Sequence, residues 1–182
     1  MILTDFPRDL LMTGAIFGVA AFVWTGWAQE RPPQQRVWRV VLGILTVCGA
    51  ALAGITIPAV TGNWDQPTAL SFDGPAFTWY IIIFWLEVLA VIALVVLARR
   101  RNRSDLFAPL ILAVVGIHFI PLAWLFQQPV YAVTGILLTA AAVAATVVPD
   151  RTAARSFWCG LLGGGTLLVV GWICAAAGFG AL

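Results

Sequence analysis

Long apolar runs alternate with short polar or Pro/Gly-marked breaks along the whole chain. Six runs approach the roughly 20 residues that a membrane-crossing helix requires: residues 10–28, 38–60, 77–98, 106–126, 130–148 and 157–177. The stretch 106–148 is too long for one span, and Gln127-Gln128-Pro129 divides it with a very tight hairpin. None of the runs alternates apolar and polar residues as the strands of a porin-like barrel do. The pattern predicts an all-α, polytopic membrane protein with six transmembrane helices in a single domain, 1–182.

Composition narrows the class. Of 182 residues, 62% are hydrophobic and 10% are charged, whereas a soluble domain carries about 25% charge. A water-facing globular surface cannot be built from these residues, and one short arginine run is too little for a nucleic-acid binder. All ten basic residues are arginines, against eight acids. Nine of them fall in or beside the first, third and fifth loops (Arg31, Arg36, Arg39; Arg99, Arg100, Arg101, Arg103; Arg151, Arg155). The positive-inside rule makes that side cytoplasmic and puts both termini outside. A cleaved signal peptide is not expected, because the positive leading region is missing. Trp27, Trp38 and Trp158 then fall at the inner interface and Trp64, Trp79 and Trp124 at the outer one, as an aromatic belt. The outer loop 61–76 is the longest connection; it either caps an outward-facing opening or stays solvated. Cys48, Cys159 and Cys174 have no paired spacing, so they read as small apolar side chains.

Small residues recur at helix-packing spacing: Gly14 with Gly18, Ala50 with Gly54, and Gly160 with Gly164. Such pairs let a neighbouring backbone come close, either within the chain or on a docked partner. Gly43-Ile44-Leu45-Thr46, followed by an alanine run and Pro58, resembles Gly135-Ile136-Leu137-Leu138-Thr139, followed by an alanine run and Pro149. The two lie in the second and fifth spans, which run in opposite directions, as a three-plus-three inverted repeat requires.

Two ionisable groups remain deep inside the spans, Glu87 in the third and His118 in the fourth. These spans form a hairpin with Ala98 and Leu106 facing at its inner boundary, so Glu87 is level with Ile117, one residue from His118. Both lie near the bilayer midplane, where charge costs at least about 2.5–3.5 kcal/mol on insertion scales and seeks a partner. A Glu–His pair can share one proton, which suits proton relay or cation binding; the alternative is a latch pinning the two spans. Pro121 removes an N–H three residues after His118 and predicts a kink that could open a small polar cavity. Helical spacing puts Tyr80 and Phe84 on the face of Glu87, with Trp124 near the mouth of the resulting vestibule. Thr139 and Thr166 fall at about the same depth and would add hydroxyls to it.

Catalytic readings fare poorly. A single histidine excludes bis-His haem ligation and multi-His metal sites. There is no serine in a nucleophile setting, no paired carboxylates inside and no lysine for a phosphate loop. No enzyme activity, cofactor or metal is expected.

The segment Gly116-Ile117-His118-Phe119-Ile120-Pro121-Leu122-Ala123 resembles a stretch of uncharacterised small bacterial six-helix membrane proteins, which implies no activity. Size, six helices and many tryptophans are similar to the substrate-binding subunits of energy-coupling-factor vitamin transporters; that likeness implies docking on a transport engine through Gly14 and Gly18. The expectation is a multi-pass protein of the bacterial cytoplasmic (inner) membrane, binding or translocating a small solute or proton at Glu87 and His118. The alternative is a structural or assembly subunit, with another membrane subunit or a second copy as partner.

Overall fold

The computed structural model describes residues 2–149 and 151–182. Among the described residues there is no strand, and six helices are long and apolar enough to cross a membrane. They are α1 (Pro7–Trp27), α2 (Arg36–Gly62), α3 (Pro75–Arg100), α4 (Phe107–Leu125), α5 (Pro129–Val147) and α6 (Arg155–Gly180). This is the architecture of a multi-pass membrane protein.

α1, α3 and α5 each start at a proline, a little ahead of the apolar runs. Proline suits the first turn because its missing N–H would have had no intrahelical partner there. α3 and α4 end alike. Asn102 and Gln127 take left-handed backbone angles (φ 54° and 53°). The next residues, Arg103 and Gln128, donate their N–H groups back to Ala98 and Ala123, at 2.8 and 2.9 Å. This is the Schellman closure, which satisfies the last carbonyls and reverses the chain at once.

α1 packs on α2 and α6, and glycine makes the approach possible. A Cβ on Gly18 would stand 2.7 Å from the Ala53 nitrogen of α2. Gly14 faces Thr56 and Ala175, Gly160 faces the Trp24 carbonyl, and Gly164 faces Thr25. All four glycines are buried against helices of the same chain and offer no open face to a docked subunit. α6 passes through a π-helical turn at Cys159–Gly164, where Gly163 also meets Leu112 of α4. Such turns re-aim a helix by one residue, and this one lets α6 touch both α1 and α4. α4 and α5 form the second tight pair, with Gly116 and Gly135 at their crossing.

α3 is the exception. Among the spanning helices it packs substantially on α4 alone, and only Ala98 along its length is buried. The three arginine-bearing loops meet at one end of the bundle. There the Glu30 carboxylate accepts from the Ser156 hydroxyl at 2.8 Å, and Arg103 and Arg155 both pair with Asp105.

Candidate functional site

Glu87 sits at the middle of α3, and His118 sits on the facing side of α4, which continues helically through Pro121. His118 Nδ1 lies 2.7 Å from the Val115 carbonyl oxygen of its own helix and 3.3 Å from Glu87 Oε1. A carbonyl can only accept, so Nδ1 carries the hydrogen and donates it to Val115, while Glu87 Oε1 lies within ion-pair distance of the same nitrogen. The tautomer is thereby fixed. A second proton would have to enter at Nε2, making an imidazolium beside the carboxylate. Among the described residues nothing else pairs with the Glu87 carboxyl.

The pair stands at the deep end of a cavity of about 480 Å³ between α1, α3 and α4. Phe77, ten residues before Glu87 on α3, lines its other end, a helical rise of about 15 Å. Its inner wall is a run of touching rings. Phe17 meets Phe119 edge-on at 5.2 Å, Phe119 meets Tyr131 at 6.0 Å, Tyr131 meets Phe126 at 5.5 Å, and Phe126 meets Tyr80 at 6.1 Å. Edge-to-face and tilted ring contacts at these separations hold the wall in shape. Towards the lipid-facing side, α1 and α3 do not pack on one another. Ile16 and Phe84, on the edges of that gap, are 54% and 43% exposed. The cavity therefore reaches the bilayer-facing surface sideways.

The far end is closed by the loop between α2 and α3. Asp9, in the first turn of α1, is 7% exposed. Its two carboxylate oxygens accept from the Thr68 hydroxyl at 2.7 Å and the Ala69 N–H at 2.8 Å. Arg8 donates to the Trp64 carbonyl and lies 4.9 Å over the Trp64 ring. Thr13 and Tyr131 share a hydrogen bond beneath this latch. Of the two expectations for the loop, the structure has it capping the cavity.

Tyr80, Phe84, Glu87 and His118 come together around the cavity. Three other candidates do not, and the expectation for them is corrected. Trp124 is 77% exposed on the outer side of α4, because its helical phase turns it to the lipid interface. Thr139 bonds the Gly135 carbonyl of its own helix and packs on Gly116. Thr166 likewise bonds back to the Leu162 carbonyl. In both, the helix backbone takes the hydroxyl hydrogen. Pro121 is not in the cavity wall. The sequence reading missed Asp9, Thr13 and Tyr131. Pro7 as a helix start was the available signal, since it draws Asp9 into the first turn of α1 with Thr13 one turn on.

A family model described as a family of unknown function (DUF7010) matches residues 78–177, more than half of the chain. The chain belongs to this family. The matched stretch runs from α3 to α6 and contains both Glu87 and His118, whereas α1, α2 and the capping loop lie outside it. Membership brings no activity with it. No curated protein and no solved structure matches the chain.

Proposed function

We propose that this protein binds or translocates a small solute or a proton within the membrane, using the Glu87–His118 pair as the binding group. The observation carrying this reading is the 3.3 Å contact between the two groups at the deep end of a 480 Å³ cavity. A latch needs no cavity beside it, and burying ionisable groups near the midplane is costly without a use. The arginine distribution supports an arrangement with the loops around Glu30, Asp105 and Arg155 on the cytoplasmic side, the termini outside and the capping loop facing outward. A bacterial cytoplasmic membrane fits that arrangement. The paired packing of α1 with α2 and of α4 with α5 accords with a three-plus-three repeat, while α3 and α6 are packed very differently. The role is binding rather than catalysis, with no cofactor assigned.

The test is thermal unfolding of purified protein in lipid nanodiscs across pH and across a panel of small solutes. The wild type is expected to show a pH- or ligand-dependent midpoint, which Glu87→Gln is expected to abolish and His118→Ala to displace. The same dependence in all three proteins would remove the reading.

A second reading, an assembly subunit, draws support from the exposure of α3 and from Gly54 of α2, which has open space around it. It predicts co-purification with another membrane protein; a solitary, monodisperse protein would count against it.

A further inference from the structure

The chemistry of the cavity narrows the solute class. The charged and titratable groups facing it are Arg8 and Asp9 from α1, Tyr80 and Glu87 from α3, His118 from α4 and Tyr131 from α5. Arg8 and Asp9 are spent on the capping loop, since each already holds a partner there. The tyrosine of α5 is engaged with Thr13. What remains at the deep end is one carboxyl group with a single contact, next to a histidine and in front of aromatic faces. An anionic oxygen flanked by aromatic rings attracts a cation that water solvates poorly: the carboxylate supplies charge and the ring faces supply cation–π attraction, which desolvation strengthens. A small, strongly hydrated ion would lose its water shell against these rings and gain too few oxygens in return. The opening also selects. It faces lipid between Ile16 and Phe84, so a solute that partitions into the bilayer reaches it directly.

We infer that the cavity takes a lipophilic organic cation, a substituted ammonium or phosphonium, entering sideways between α1 and α3 and displacing a proton from Glu87. The inference rests on the functional reading above and adds the class of solute. In the exchange the carboxyl O–H bond of Glu87 breaks, its proton leaves to water, and the cation takes over as the carboxylate's counter-charge. The net charge of the site is the same before and after, so the midplane is never left with an unpaired anion.

Binding of tetraphenylphosphonium to the full-length protein in nanodiscs, followed by calorimetry, tests this. Tetraphenylborate, which has the same shape and the opposite charge, serves as the control. The expectation is saturable phosphonium binding that tightens as pH rises, releases a proton into the buffer and weakens at least tenfold in Glu87→Gln. Tetraphenylborate is expected not to displace it. Phe84→Ala, at the portal, is expected to weaken binding severalfold, and equal unfolding midpoints for the variants and the wild type show that the loss is not one of fold. Equal phosphonium binding by Glu87→Gln, or displacement by tetraphenylborate as effective as by unlabelled cation, overturns the inference. Absence of phosphonium binding to a protein whose Glu87 carboxyl still titrates also overturns it, while leaving the proton-site reading in place.

Discussion

Two carboxylates face the same cavity and are treated in opposite ways. Asp9 at the capped end has both oxygens filled by the loop, one from a hydroxyl and one from a backbone N–H. Glu87 at the deep end has one contact, at 3.3 Å, to a histidine whose Nδ1 hydrogen goes to a backbone carbonyl. A fully satisfied buried carboxylate contributes stability and a fixed geometry. A carboxylate left short of partners contributes little to stability and keeps its capacity for a ligand. Their supports differ in the same sense. α1, which carries Asp9, is locked by glycine contacts on α2 and α6, whereas α3, which carries Glu87, leans on α4 alone. One wall of the cavity is fixed and the other is lightly held, and the proposed sideways entry of a solute depends on that difference.

Substitutions can break this contrast. The largest effect on stability is expected from Asp9→Ala, which strands the Thr68 hydroxyl and the Ala69 N–H. Losing a buried charge-assisted contact of this kind costs about 2–3 kcal/mol, to be read as a lowered unfolding midpoint together with faster hydrogen exchange at residues 68–70. Tyr131→Phe removes the bond to Thr13 but keeps the ring that touches Phe119 and Phe126, so a loss of about 1 kcal/mol is expected. Leu89→Ala, on the exposed side of α3, is expected to stay within about 0.5 kcal/mol of the wild type. Glu87→Gln should also leave the midpoint at neutral pH nearly unchanged while removing its pH or ligand dependence. If Glu87→Gln destabilises the protein as much as Asp9→Ala does, Glu87 is a latch and the contrast fails.

The helices were legible because period and length alone mark an apolar span, and the two Schellman turns sit where polar residues interrupt the runs. The meeting of Glu87 with His118 was legible too, since a hairpin of two straight helices ties depth to residue number. What escaped is what depends on rotation and on distant partners. Thr139 and Thr166 have the right depth but the wrong phase, and their hydroxyls bond to their own helices. Asp9 looked like one charge among several near the start of the chain, because its partners Thr68 and Ala69 lie about 60 residues away in an irregular loop. The loose attachment of α3 had no signature either. A helix that is apolar all round reads the same in a bundle core as at its lipid-facing edge.

The most direct test of Glu87 as the proton-binding group is infrared difference spectroscopy of the carboxyl stretch during a pH titration in nanodiscs. The prediction is a protonated-carboxyl band that grows as pH falls, is missing in Glu87→Gln, is displaced in midpoint in His118→Ala and persists in Asp9→Asn. A band that survives unchanged in Glu87→Gln would contradict the account.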